Sequence, residues 1–134
     1  MKVELWAIGK TNERYLEEGI DIYLKRLKHY LKFELRILPD IKKAGKLQPG
    51  QLKEKEGELV LKALQAGDCL VLLDERGKRL TSPAFAKFIN HNIQLSHRRI
   101  VFLIGGAFGF PEFLYQKANH KISLSDMTFS HQMI

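Results

Sequence analysis

Two stretches in the last third of the chain carry residue types suited to holding a ligand. The apolar run Ile100-Val101-Phe102-Leu103-Ile104 breaks into Gly105-Gly106-Ala107-Phe108-Gly109. Further on, Lys121-Ile122-Ser123-Leu124-Ser125-Asp126-Met127-Thr128-Phe129-Ser130-His131 passes from a strand-like pattern into small hydroxyl residues. Strand ends that open into small-residue loops set lengths of bare backbone side by side, which is how α/β proteins build ligand sites. If the strands are neighbours, Leu72, Leu73, Ile104, Gly105 and Leu124 to Phe129 meet in one pocket. Its main-chain N–H and C=O groups and its leucine, isoleucine and methionine side chains suit a flat, neutral purine ring. The plainer alternative is that these are core strand ends and nothing more.

Other chemistries find less support. The glycine run is not G-x-G-x-x-G and follows the fourth strand rather than the first, and no G-x-x-x-x-G-K-[ST] occurs. The five histidines, His29, His91, His97, His120 and His131, have no short ligand spacing and Cys69 stands alone, so no metal site is expected. Ser123, Ser125 and Ser130 lie in no G-x-S-x-G elbow, and their hydroxyls suit turn capping or a hydrogen bond to a ligand.

The elements that must position these loops follow from periodicity. Val3, Leu5 and Ala7 alternate with Lys2, Glu4 and Trp6, a strand ending at Gly9. Tyr15, Leu16, Gly19, Ile20, Tyr23, Leu24 and Leu27 recur at helical spacing over about 12–29, opposite Glu17, Glu18, Lys25 and Lys28. Phe33, Leu35 and Ile37 make a second strand that stops at Pro39-Asp40, and residues 40–50 read as an exposed, mobile loop. Leu52, Leu59, Val60, Ala63 and Leu64 predict a helix with Gly67 as its left-handed C-cap. Residues 69–73 form the third strand, Asp74-Glu75-Arg76-Gly77-Lys78 a charged turn, and Ser82 with Pro83 the N-cap and first position of a third helix carrying Ala84, Phe85, Phe88 and Ile89. Residues 100–104 form the fourth strand, Pro111 opens a helix with Phe113, Leu114 and Ala118 inward, and about 121–124 is the fifth strand. The later strands are apolar on both faces. An α/β fold follows, its mostly parallel sheet covered by helices on both faces.

At 134 residues the chain fits one domain, able to bury about two thirds of its unfolded surface. Its 45% hydrophobic and 28% charged composition is that of an ordinary globular protein, and no apolar run approaches a membrane span. Met1-Lys2-Val3-Glu4-Leu5 alternates at once, without the pattern of a secretory leader, so a cytoplasmic location is expected. Cys69, within an apolar run, reads as a small core residue. The net charge of +7 is concentrated. Between residues 23 and 55, ten basic side chains (Lys25, Arg26, Lys28, Lys32, Arg36, Lys42, Lys43, Lys46, Lys53, Lys55) face three acids, Glu34, Asp40 and Glu54. Such a block suits phosphate contacts that position a nucleic acid without reading its sequence, or is simply a solvated lysine-rich face.

At these residues the chain resembles the RlmH family of the SPOUT superfamily of knotted methyltransferases. The likeness runs over all 134 residues. It takes in Gly9-Lys10, Tyr23-Leu24-Lys25-Arg26-Leu27, Lys55-Glu56-Gly57 and Leu73-Asp74-Glu75-Arg76-Gly77-Lys78. Its most specific parts are Ile104 to Gly109 and Ser123 to His131. The resemblance implies an S-adenosylmethionine-dependent enzyme that methylates N3 of a pseudouridine in 23S ribosomal RNA of the assembled ribosome. It implies a homodimer and a C-terminal trefoil knot. It maps cofactor binding to Leu73, Gly105, Leu124, Ser125, Asp126, Met127, Thr128 and Phe129. No side chain stands out as a base for the N3 proton, and His131 is a candidate for an orienting role. Two departures stand out. Ser130 replaces the family's usual proline, and the sequence ends at Ile134 where the family pattern continues with an arginine and a last helix, so residues 1–134 read as one shortened methyltransferase domain. The alternatives are a non-catalytic RNA- or ribosome-binding module of the same fold and, more remotely, a small dinucleotide-binding oxidoreductase.

Overall fold

The computed structural model describes residues 2–9, 13–41, 44–95, 97–106 and 108–125. The elements alternate in the order β1 (Lys2–Ile8), α1 (Arg14–Leu27), β2 (Phe33–Leu38), a 3-10 turn (Ala44–Lys46), α2 (Pro49–Ala63), β3 (Asp68–Arg79), α3 (Ser82–Gln94), β4 (Arg99–Ile104), α4 (Glu112–Lys117) and β5 (His120–Ser123). The five strands form one sheet in the order β2-β1-β4-β3-β5, with every pairing parallel.

Parallel neighbours need crossover helices, and right-handed crossovers sort those helices by direction of travel along the sheet. The connections through α2 and α4 run one way, and both helices cover the same face. There Val60, Leu114 and Phe110 pack with Trp6, Leu38, Leu70, Leu72, Val101 and Leu103. The connections through α1 and α3 run the other way. On that face Phe85, Phe88 and Ile89 of α3 cover Val3, Cys69, Val71, Ile100, Phe102 and Ile122.

Because β1 is an interior strand, the side expected to be polar is buried too. Trp6 is fully buried and Glu4 is 2% exposed. Glu4 is tolerated because it accepts from Trp6 Nε1 at 2.8 Å and from Arg99 Nη1 at 3.0 Å. Burial pushes its carboxyl up, but those two donors outweigh burial and hold it below the usual carboxylate range. Arg99 also donates to Asp68 Oδ1 at 2.9 Å and to the Ala63 carbonyl at 3.0 Å, and its guanidinium lies 5.1 Å from the Trp6 ring centre. One arginine thus joins β1, β3, β4 and α2 at the amino-terminal edge of the sheet.

Several boundaries differ from expectation. Residues 44–50 are not all loop, because a 3-10 turn and then the start of α2 fall there, with Pro49 in the first turn and Gln48 and Gln51 forming a reciprocal cap. Helix α2 ends at Ala63, so Gly67, at φ 89°, shapes the turn into β3 rather than capping the helix. The N-cap of α3 is Thr81, whose hydroxyl accepts from the Ala84 N–H at 3.2 Å, and Ser82 is already helical. The charged turn after residue 73 proves to be a bulge within β3. Leu73 and Lys78 both register with Ile122, so residues 74–77 loop out and the strand resumes. Gly77 permits this, since a Cβ there would lie 2.6 Å from the backbone of Lys121 and Ile122. The trefoil knot concerns the chain's last stretch, where residues 126–134 lie outside the described residues.

Candidate functional site at the carboxyl edge of the sheet

Parallel strands put their carboxyl ends on one edge, and the loops of interest open there. Leu73 pairs with Ile104 on one side and with Ile122 on the other. Gly105 and Leu124 therefore follow directly from two strands that flank Leu73. Ser125 is next in line, and the Ser123 hydroxyl donates to its carbonyl at 2.7 Å, which turns the chain as it leaves β5. Of the sequence-derived cofactor residues, Gly105, Leu124 and Ser125 thus follow the ends of β4 and β5, and Leu73 lies between them where β3 loops out. Asp126, Met127, Thr128, Phe129 and His131 lie outside the described residues, as does Ala107.

The glycine loop is a tight turn. The Gly109 N–H donates to the Gly106 carbonyl at 3.2 Å, and Gly109 has φ 83°, which favours glycine. Behind it, the Phe110 ring lies 3.1 Å from the place of a Gly105 Cβ and packs edge-on against Tyr115, with ring centres 5.9 Å apart. The Tyr115 hydroxyl donates to Asp74, so ring packing and a hydrogen bond connect the glycine loop to the β3 bulge. Burial first, and then that hydrogen bond, push the Tyr115 phenol up to about 12. Phe108 and Leu124 stand half exposed, at 51% and 50%. Bare backbone at Gly105 with apolar side chains partly in water at the same edge fits a flat ring such as adenine.

On the other side of Gly106 the chemistry changes. Both carboxylate oxygens of Glu56, on α2, lie 2.7 Å from the place of a Gly106 Cβ. Glu56 is 9% exposed, and its Oε1 has no hydrogen-bond partner among the described residues. Burial first, and then the nearby charge of Asp40, push its carboxyl above the ordinary value. Asp40 itself fills the place of a Cβ on Gly9, whose φ is 77°. Neither acid was singled out for chemistry in the sequence. The only signal was the Lys55-Glu56-Gly57 element, because an acid one position before a glycine pressed against Phe113 and Pro111 looks like any helix residue.

The basic block does not form one patch. Lys25, Arg26, Lys28 and Lys32, all exposed, fall between the end of α1 and β2, at the amino-terminal edge. Lys46, Lys53 and Lys55 flank the start of α2, past the carboxyl end of β2. Lys42 and Lys43 lie outside the described residues. Two open grooves, one lined by Lys28, His29, Tyr30 and Lys32 and the other by Gly67, Asp68, Lys117 and Asn119, lie at the amino-terminal edge, away from the glycine loop. Among the described residues no group of three or more His, Cys, Asp or Glu side chains could hold a metal ion. No helix among them is long and apolar enough to cross a membrane. Cys69 is fully buried, which pushes its thiol up.

Comparison with known proteins shows the family of the chain. The family model described as "Predicted SPOUT methyltransferase" matches residues 1–134. The chain is 53% identical over 134 residues to a protein of Parabacteroides distasonis named "Ribosomal RNA large subunit methyltransferase H", covering 100% of this chain and 85% of that one. Proteins of the same name from Christiangramia forsetii and Cytophaga hutchinsonii are 49% and 48% identical over 134 residues, covering 85% and 86% of their length. With a family model that matches end to end and relatives near half identity, the chain belongs to the SPOUT methyltransferase family.

Proposed function

We propose that this protein is an S-adenosylmethionine-dependent methyltransferase that modifies N3 of a pseudouridine in 23S ribosomal RNA of the assembled ribosome. One observation carries the reading of the site: Leu73, at the β3 loop-out, lies between the ends of β4 and β5 from which Gly105 and Leu124 follow, with bare backbone and half-exposed apolar side chains at one edge. The family membership and the relatives' names supply the reaction class and the RNA. Leu73, Gly105 and the run Leu124, Ser125, Asp126, Met127, Thr128 and Phe129 hold the cofactor, and His131 orients the end of that run. When bound, the cofactor supplies a methyl group already activated by its sulfonium, so the protein's task is in-line positioning. The two clusters of lysine and arginine bear on RNA phosphates as sequence-independent contacts. The protein works in the cytoplasm as a homodimer, and residues 1–134 act as one methyltransferase domain.

Calorimetric titration with S-adenosylmethionine, paired with transfer of labelled methyl into large-subunit RNA, tests this reading. Wild type should bind, and Gly105→Val and Thr128→Trp should bind at least tenfold more weakly. Wild-type binding no tighter than that of both variants would overturn it.

A further inference from the structure

The crevice between β1 and β4 differs from the strand ends beside it. The connection from β1 leads to β2 on one side, and the connection from β4 leads to β5 on the other. Open α/β sheets bind ligands at such a switch point, outside the carboxyl ends of the diverging strands. The β1–β4 pairing ends at Trp6 with Leu103, and Gly9 and Gly106 lie in the loops that follow the two strands. Each of these loops thus opens at the switch point with a position that has no side chain. Asp40 sits against one and Glu56 against the other.

A carboxylate 9% exposed, with one oxygen lacking any partner among the described residues, is costly unless something there uses it. The group it lacks is a hydrogen-bond donor. A uridine-type base offers an imide N–H, and that proton must leave before nitrogen can carry a methyl group. Resting on the methyltransferase reading above, we propose that Glu56 is a catalytic residue at the β1–β4 crevice, which accepts the imide N–H of the acceptor base and takes its proton during transfer. As the N3–methyl bond forms and the sulfur–methyl bond breaks, the N3 proton passes to the Glu56 carboxylate. The products are a methylated base, a neutral thioether and a carboxylic acid that returns its proton to water.

The electrostatics suit a base. Burial first, and then the charge of Asp40, raise the affinity of Glu56 for a proton, the direction that suits a general base. Among the other groups around it, Lys53 lies one turn back on α2, half-buried. From α4 and its approach, Phe113 and Pro111 meet neighbouring Gly57. Among the described residues of the loops beside Gly9 and Gly106, Asp40 is the charge that acts on Glu56.

The test compares single-turnover methyl transfer to large ribosomal subunits as a function of pH for wild type, Glu56→Gln, Glu56→Asp and Asp40→Asn, each checked for folding by thermal melting and for cofactor affinity by calorimetry. Glu56→Gln should keep cofactor affinity within twofold and lose about 100-fold or more in rate, the usual size of a proton-transfer contribution. Its residual rate should climb with pH as the imide ionises unaided. Glu56→Asp, a methylene shorter, should be slower than wild type but keep the acid limb. Removing the Asp40 charge should move that limb to lower pH, and carbon NMR of the Glu56 carboxyl without cofactor should show the same displacement. If wild type transfers methyl and Glu56→Gln matches it within twofold with an unchanged profile, the assignment of Glu56 is overturned alone. A rate lost in step with cofactor affinity would also overturn it. Absence of transfer by wild type would instead remove the functional reading beneath it.

Discussion

The Tyr115 hydroxyl donates to Asp74 Oδ2 at 2.5 Å and so fastens α4 to the first residue of the β3 loop-out. Tyr115→Phe removes the donor and leaves the carboxylate one bond short. A loss of about 2 kcal/mol is expected, measured by urea unfolding, since hydrogen bonds to charged groups are worth about that much. The pH sign is definite. Folding raises the phenol from 10.0 to about 12, so its contribution is complete below pH 10 and disappears as pH rises through about 12. The alkaline fall in stability over that window should shrink in Tyr115→Phe.

Glycines along the chain differ in what surrounds them, and that difference is measurable. Gly77→Ala drives a Cβ into the backbone of Lys121 and Ile122, which no rotamer change relieves. A cost of about 3 kcal/mol is expected, at the upper end for overpacking. Gly50→Ala, in the first turn of α2 with open space around it, should stabilise by about 0.5 kcal/mol. Equal effects at the two sites would contradict the geometry.

Arg99 joins Glu4, Asp68 and the Ala63 carbonyl with a side chain only 12% exposed. Truncation to alanine strands two nearly buried carboxylates, and about 3 kcal/mol should be lost. Because Glu4 titrates below the usual range, its contribution is present at neutral pH and fades as pH falls through its depressed folded value. Arg99→Ala should therefore flatten the acid side of the stability curve.

Glu56 titrates in the opposite sense. Its folded value is raised, so its protonated form suits the fold, and the stability it lends in acid is lost as pH rises through that value. Glu56→Gln should accordingly melt higher than wild type at neutral pH, with the gain vanishing in acid. A lower melting temperature at pH 7 would contradict this.

The fold was legible where burial is simple. Apolar runs at Cys69–Leu73 and Ile100–Ile104 mark interior parallel strands because helices cover both faces, and those strands lie within one residue of expectation at their amino-terminal ends. Trp6 misled for the converse reason. A tryptophan alternating with Lys2 and Glu4 reads as a solvent-side residue until an arginine 93 positions away is known to neutralise the acid beside it. The resumption of β3 after residue 77 was hidden because a loop-out and a turn use the same residues, and only the shared partner Ile122 separates them. At the site, the strand ends before Gly105 and Leu124 were readable from pattern, while Leu73 marks a loop-out rather than an end. Glu56 was not, since its meaning comes from Gly106, fifty positions on, and from a sheet order that periodicity does not reveal.

Helix α1 has amphipathic spacing but no buried residue, and Tyr15 and Tyr23 on its apolar side are 66% and 63% exposed. Among the described residues its main neighbour is β2, an edge strand. The fold therefore has a seam: no residue of 14–27 belongs to either core cluster, so unwinding that segment leaves both clusters with all their members. Amides of that segment should exchange with solvent through a local opening almost insensitive to denaturant, while those of β3 and β4 wait for the whole sheet to come apart.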